Sequence, residues 1–186
     1  MELRSLAIDD EGSIFVTGSG VLARRYDADF QEIWNIPEPA DELSAEYIAV
    51  GNGRTQPFVY VQGTLGQGAD DEDVFVLQLG KESGNQLWNI EISSGDTPTP
   101  GQERAGGIGV GPRGVVRAAV SSNGFDLAAD DVLLKDTPTT PARHGHLLFL
   151  DPDEGRLRND RLLGASTEQG GVMDTYNLDI CLLYTS

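Results

Sequence analysis

The same succession of short apolar segments occurs three times along this chain of 186 residues, and this repeat constrains the fold more than any other feature. Each copy has four segments rich in Val, Ile, Leu, Phe and Tyr, separated by Gly, Asp, Asn and Pro. The tripeptide Trp-Asn-Ile recurs in the fourth segment of the first two copies, at 34–36 and 88–90. Neither a helical i, i+3, i+4, i+7 stripe nor a long apolar run interrupts the pattern. The repeat therefore predicts β-strands throughout the chain.

About twelve strands are expected, in three four-stranded antiparallel sheets with almost no helix. They should centre on residues 6–9, 14–17, 22–26, 32–36, 47–50, 58–62, 74–79, 87–91, 107–110, 115–120, 146–150 and 156–162. Residues 64–72, 93–104 and 121–144 are expected to be loops, because they are rich in Gly, Asp, Ser, Thr and Pro.

Four antiparallel strands repeated every 40 to 60 residues are typical of a propeller blade. The sequence thus predicts an all-β fold, with three consecutive four-stranded antiparallel blades of an incomplete β-propeller forming a single domain over 1–186. The blade-like units cover about 1–40, 41–100 and 101–165, and the third lacks the tryptophan. Because propellers typically close with about 4–8 blades, the remaining blades of a longer chain are expected partners.

The composition excludes two classes of partner. The chain has 30 acidic and 13 basic residues, for a net charge of −17, which opposes binding to nucleic acid and to anionic lipid. No segment approaches the ~20 apolar residues that membrane insertion requires. The acidity has two interpretations, a cation-binding surface or simple solubility, and solubility is favoured.

The carboxyl-terminal residues do not follow the sequence pattern of the repeat. Residues 166–186 are predicted to be a ragged end, and 181–186, Cys-Leu-Leu-Tyr-Thr-Ser, resemble a translated sequencing adapter. The alternative is a genuine apolar strand with a polar end. If the adapter interpretation holds, Cys181 is not native, and the rest of the chain has no cysteine for disulfide or thiol chemistry.

The repeat also resembles a known family. Its pattern of Val-Tyr-Val-x-Gly, Asp-Val-Phe-Val-x-x-Leu and Gly-x-x-Leu-Trp is similar to the bacterial "seven-bladed beta-propeller repeat" (SBBP). Residues 48–63 and 73–88 match best, and the resemblance covers roughly 5–163. It implies a propeller fold and an extracellular or cell-surface location, but no single activity, since propellers have many functions.

Two motifs could indicate ligand binding. Residues 109–114 fit G-x-G-x-x-G, but a strand-like run follows where a dinucleotide site needs a helix, so a turn between strands is predicted. His144 and His146 could face the same way on a strand as two metal ligands. No third ligand is identifiable, so the favoured interpretation places His144 at the end of a loop and His146 at the start of a strand.

Two acidic segments could bind Ca²⁺, which takes oxygen ligands. These are Asp70-Asp71-Glu72-Asp73 and Asp151-Pro152-Asp153-Glu154-Gly155. Both are interpreted as solvated loops, the second as a hairpin turn in which Pro sets φ and Gly closes the turn. Trp34 and Trp88 could be stacking platforms for a ligand, but their equivalent positions favour burial between adjacent blades.

Two functions remain open. The first is a non-enzymatic propeller that acts as a binding or surface scaffold for a protein or glycan ligand not yet identified. The second is part of a PQQ-type quinoprotein dehydrogenase, because Leu79–Trp88 resembles the docking motif D-x-x-T-G-K-x-x-W. That match departs at Gly80 and Ser83. No catalytic, cofactor-binding or metal-binding residue is therefore assigned from the sequence.

Overall fold

The structure of the chain is a computed structural model. It describes residues 2–39, 43–51, 57–66, 72–94, 102–111, 114–123, 127–130, 132–134 and 143–166. Within these ranges the fold is all-β and contains no helix. The strands are β1 (Leu3–Ile8), β2 (Ile14–Gly18), β3 (Val21–Tyr26), β4 (Glu32–Pro37), β5 (Leu43–Val50), β6 (Phe58–Leu65), β7 (Asp73–Gly80), β8 (Gln86–Ser93), β9 (Glu103–Val110), β10 (Val116–Ser122), β11 (Ala128–Ala129), β12 (Val132–Leu133), β13 (Arg143–Leu150) and β14 (Leu157–Ser166).

The strands form three antiparallel sheets that follow the sequence repeat. Sheet 1 has the order β1-β2-β3-β4, sheet 2 the order β5-β6-β7-β8 and sheet 3 the order β9-β10-β13-β14. All twelve predicted strands are present. Sheet 2 differs from the prediction in one respect, because β11 and β12 extend it beyond β8 to six strands. These two short strands come from residues 121–144, which the polar composition had suggested were entirely loop.

The three sheets share one register between their first two strands. Val, Ile or Leu in the first strand stands opposite an apolar residue in the second, in the pairs Leu6↔Val16, Ile48↔Val61 and Ile108↔Ala118, then Ile8↔Ile14, Val50↔Val59 and Val110↔Val116. Since a shift of one residue would turn these side chains to the other face, the shared register shows that the sequence repeat is also a structural repeat.

Two apolar cores lie between the sheets. One is formed by sheets 1 and 2 around Phe15, Ala23, Val59 and Leu77, and the other by sheets 2 and 3 around residues such as Val76. The first strands also lie side by side, with β5 in contact with both β1 and β9. Each sheet therefore packs face to face against the next one along the chain.

No helix in the described part of the chain is long and apolar enough to span a membrane. The predicted ragged end lies almost wholly outside the described residues, which stop at residue 166, as does the adapter-like string.

Candidate functional site

The two tryptophans make the same contact at the two boundaries between sheets. Trp34 lies on β4 of sheet 1, and its Nε1–H donates a hydrogen bond to the carbonyl of Lys81 in the β7–β8 hairpin, at 3.0 Å. Trp88 lies on β8 of sheet 2, and its Nε1–H donates to the carbonyl of Pro152 in the β13–β14 hairpin, at 3.1 Å. We call each such contact a tryptophan lock, since it ties one sheet to the next.

Each lock needs a glycine in the receiving hairpin. Gly84 and Gly155 both have positive φ, +69° and +73°, in the left-handed region. A Cβ on Gly84 would lie 3.1 Å from Cδ2 of Trp34, and a Cβ on Gly155 would lie 2.6 Å from Cδ2 of Trp88. The indole face thus occupies space that any other side chain would need, and the requirement for glycine appears twice.

The packing interpretation of the tryptophans is confirmed, with one difference in burial. Each ring contacts an aromatic residue of its own sheet, Phe15 for Trp34 and Tyr60 for Trp88, with centroids 6.1 and 5.9 Å apart. Both indoles are half-buried, where their equivalent positions had predicted that they would be largely buried. Each ring stands on the fourth strand of its unit, far from the first strands that pack side by side.

The segment with the PQQ-like motif forms part of the first lock. Lys81 is 5% exposed, and its Nζ lies 2.7 Å from Oδ2 of Asp9 and 3.4 Å from Oε2 of Glu11, both in the turn between β1 and β2 of sheet 1. Asp9 also accepts hydrogen bonds from the backbone N–H groups of Glu11 and Ser13. The Lys81 ammonium group thus forms ion pairs with carboxylates of the same chain.

The charges of this pair stabilise each other. Burial raises the pKa of the Asp9 carboxyl, but the hydrogen bond and charge of Lys81, with the two backbone N–H groups, outweigh burial and leave the pKa below its usual value. Burial likewise lowers the pKa of Lys81, and the carboxylates of Asp9 and Glu11 overcome this and raise it. Both groups are charged at neutral pH.

A second cation, Arg25, completes this boundary. Its guanidinium is 2.6 Å from Oε2 of Glu82, donates to the carbonyl of Lys81 at 3.1 Å and to Oγ of Ser13 at 3.2 Å, and lies 5.7 Å from the centroid of the Phe15 ring. The boundary between sheets 1 and 2 is therefore held by a polar cluster as well as by an apolar core.

Besides the ion pair of Arg104 with Glu72, the boundary between sheets 2 and 3 uses neutral polar groups. Gln62 is fully buried, donates to the carbonyl of Ala119 at 2.7 Å and accepts from the N–H of Gly107 at 3.1 Å. Gln78 donates to the Tyr60 hydroxyl at 2.9 Å and to the carbonyl of Pro152 at 2.7 Å. Side-chain amides of sheet 2 thus form hydrogen bonds with backbone groups of sheet 3.

The two histidines are both inside β13, which corrects the expectation that His144 ends a loop. His144 is 1% exposed and His146 is 0% exposed. Their rings meet edge to face with centroids 5.2 Å apart, so they do point to one face. Asp160 lies nearby, with its Oδ2 3.7 Å from Nδ1 of His146. Among the described residues, no group of three or more His, Cys, Asp or Glu side chains is arranged to hold a metal ion.

A buried carboxyl in the same sheet was missed by the sequence analysis. Glu103, Ser122 and His144 stand opposite one another on β9, β10 and β13. Glu103 is fully buried and accepts hydrogen bonds from the hydroxyls of Ser122 and Ser94. Burial, reinforced by the negative charge of Asp73, raises the pKa of Glu103 from 4.5 to about 7. Residue 103 lies in the segment 93–104 that was expected to be a loop, and the structure corrects this, because β9 begins at Glu103.

Glu103 makes the stability of the chain depend on pH. Because its pKa is raised on folding, the folded state holds the proton more tightly, so stability is greatest below pH 4.5 and falls as the pH rises to about 7. We expect Glu103→Gln to stabilise the chain by about 3 kcal/mol at pH 8 and to leave its stability nearly unchanged at pH 4. Urea unfolding followed by circular dichroism at both pH values measures this. Glu91→Gln, at an exposed carboxylate, is the control. If Glu103→Gln changes the free energy of unfolding equally at pH 4 and pH 8, the pKa of Glu103 is not raised as described.

Two of the remaining candidate segments lie at turns between strands. Gly111 and Gly114 lie between the antiparallel strands β9 and β10, as predicted, and β10 follows where a dinucleotide site needs a helix. In the second acidic segment, the Asp151 carboxylate accepts from the N–H groups of Asp153 and Glu154 and pairs with Arg158, while Gly155 N–H donates to the Asp151 carbonyl. The predicted hairpin is confirmed. In the first acidic segment, Asp70 and Asp71 lie outside the described residues, whereas Glu72 forms a bridge with Gln102 and Asp73 begins β7, which corrects the expected solvated loop at these two residues.

Comparisons with known proteins identify no family for this chain. No family model matches the chain, and no curated protein matches it. Among solved structures, the chain is similar to a candidate oxidoreductase (glucose dehydrogenase) from Thermus thermophilus, with 15% sequence identity and a TM-score of 0.40. The match covers 63% of this chain and 36% of that protein. A similarity at this level carries no argument about architecture or activity.

Proposed function

We propose that this chain is the repeat region of a β-propeller and acts as a scaffold that binds a protein or glycan ligand, without catalysing a reaction. The observation that carries the proposal is the tryptophan lock, which occurs with the same donor position and the same receiving hairpin at both boundaries between sheets. One geometric relation thus connects sheet 1 to sheet 2 and sheet 2 to sheet 3.

Repetition of one relation between neighbouring sheets is the structural basis of repeat arrays, in which each unit contacts only its neighbours. In this chain the first strands pack side by side, while the fourth strands carry the locks. Radial arrangement of four-stranded sheets around an axis is the propeller architecture. The SBBP family and the extracellular or cell-surface location remain predictions from the resemblance.

The scaffold function rests on how the buried polar groups are used. Four buried polar side chains form hydrogen bonds or ion pairs across a boundary between sheets and so hold neighbouring units together. They are Lys81, Arg25, Gln62 and Gln78. Ligand binding would then fall to the loops that the sheets support, as is usual for rigid β-scaffolds.

A duplicated unit tests the architecture. We expect a chain with a second copy of residues 41–100 inserted after residue 100 to fold cooperatively, because Trp88 of one copy can pack on Gly84 of the next. Its urea unfolding should show one transition with a higher midpoint and a larger m-value, since more surface is buried. Two separate transitions would show that the inserted unit does not join the array, and the propeller proposal would be wrong.

The PQQ alternative rests on the resemblance at residues 79–88, and it makes a different prediction. If this segment docks the cofactor, PQQ with Ca²⁺ should bind to the chain in calorimetry. The scaffold proposal expects no PQQ binding and no PQQ-dependent dye reduction with sugar substrates. Under the scaffold proposal, the chain can bind a glycan on an array without converting it to a product.

A further inference from the structure

The carboxyl group of Glu103 connects sheets 2 and 3 at one end of their boundary. Its Oε1 accepts a hydrogen bond from the hydroxyl of Ser122 in sheet 3, and its Oε2 accepts one at 3.4 Å from the hydroxyl of Ser94, which follows β8 of sheet 2. The backbone N–H of Glu103 donates to the carbonyl of Glu72, just before β7, at 2.7 Å. One fully buried residue therefore contacts both sheets through its side chain and its backbone.

The charged groups of sheet 2 at this end of the boundary are acidic. β9 packs against β5, β6 and β7, and β6 presents the neutral side chains of Gln62 and Thr64. The negative charge of Asp73, the first residue of β7, acts directly on Glu103. The ionisable side chains around Glu103 are Glu46, Glu72 and Asp73 from sheet 2, and Arg104 and His144 from sheet 3. Because burial and a neighbouring negative charge both oppose ionisation, this carboxyl is best accommodated with a proton.

The same end of the boundary between sheets 1 and 2 relies on a guanidinium instead. Arg4 on β1 donates to Oγ of Ser44 and, at 3.1 Å, to the carbonyl of Ala45, both on β5. Its Nη1 also lies 3.6 Å from Oε1 of Glu38. An arginine side chain keeps its charge at any pH at which a protein folds. Between pH 5 and pH 8, a change of pH should therefore act on the boundary between sheets 2 and 3 and spare the other.

We propose that Glu103 is a pH-sensitive joint, whose contacts with Ser94 and Glu72 hold this end of the boundary closed while its carboxyl carries a proton and open when the proton is lost. Opening returns the carboxyl to water, where its pKa is 4.5, whereas in the closed joint burial and the charge of Asp73 raise the pKa to about 7. The closed joint therefore binds the proton more tightly, so opening becomes easier as the pH rises from 4.5 to about 7. These contacts do not depend on the propeller proposal.

Amide hydrogen exchange, followed residue by residue by NMR from pH 5 to pH 8, tests the joint. The N–H of Glu103 crosses this boundary, and the N–H of Ile48, which donates to Oγ of Ser5 at 3.3 Å, crosses the boundary between sheets 1 and 2. After correction for intrinsic exchange rates, linkage predicts a rise of roughly 70-fold in the opening constant at Glu103. The opening constant at Ile48 should change little. Equal changes at the two amides would show that pH acts on the stability of the whole chain, and the joint would be wrong.

Three variants separate proton loss at Glu103 from a general loss of stability. Glu103→Gln removes the ionisable group, so the opening constant at residue 103 should become nearly independent of pH, whereas the control Glu91→Gln, at an exposed carboxylate of β8, should keep the rise. Asp73→Asn removes a negative charge, so the rise should end at a lower pH. Ser122→Ala removes a donor to the carboxylate, so the rise should end at a higher pH. A rise that persists in Glu103→Gln, or shifts in one direction for both neighbours, would contradict the joint.

Discussion

Replacement of Gly155 by alanine is expected to lower the free energy of unfolding by about 3 kcal/mol, an unusual loss for the addition of one methyl group. The left-handed backbone, φ +73°, costs alanine about 1–2 kcal/mol. The new Cβ would also lie 2.6 Å from Cδ2 of Trp88, and overpacking of this kind costs about 1–3 kcal/mol. Urea unfolding followed by circular dichroism gives the measurement.

The chain provides a matched control and a cycle for this prediction. Gly20 has φ +77°, and no atom of the described residues lies within 4 Å of where its Cβ would be, so Gly20→Ala should cost only the backbone part, about 1–2 kcal/mol. Trp88→Ala alone should cost about 3–5 kcal/mol, as for other large aromatic truncations. In the Trp88→Ala background, Gly155→Ala should cost no more than Gly20→Ala. Additive effects would show that the indole does not occupy the space above Gly155.

The strand order was predictable from the sequence because it rests on local signals. Segments such as 14–17 and 74–79 combine β-branched or aromatic residues with flanking turn residues, and both are strands. The recurrence of Trp-Asn-Ile marked equivalent positions, and the structure gives both tryptophans the same hydrogen bond. Where repetition and local propensity agreed, the prediction was correct.

Other features depend on contacts between distant residues. The two-residue strand β11 has no propensity signal of its own and forms because Ala128 and Ala129 pair with β8, and β12 in turn pairs with β11. The ion pair of Lys81 with Asp9 joins residues from two different sheets. Glu103 is buried by its place at the boundary between sheets 2 and 3, which no local pattern reveals. Such contacts follow from packing of the sheets, so the sequence alone did not predict them.

The largest electrostatic effect is expected at Lys81. Lys81→Met keeps the aliphatic stem but removes the ammonium group, so the Asp9 carboxylate, 6% exposed, loses its partner at 2.7 Å. Removing one member of a buried ion pair typically costs about 3–5 kcal/mol, because the other charge remains buried. We expect a loss of that size at pH 7 in urea unfolding. Arg156→Met, which removes an exposed pair with Glu154, should leave stability close to that of the unmodified chain.

The double variant and the pH dependence separate this effect from a simple packing defect. Lys81→Met with Asp9→Asn should recover much of the loss, since no buried charge remains and the asparagine oxygen can still accept from the N–H groups of Glu11 and Ser13. The pKa of Asp9 is lowered in the folded chain, so the stabilisation by its charge is complete above about pH 4 and is lost as the pH falls through the lowered pKa. The difference between the unmodified chain and Lys81→Met should therefore shrink in acid. A difference that stays constant from pH 7 down to pH 3, with no recovery in the double variant, would mean that Lys81 stabilises the boundary through its methylene groups and not through its charge.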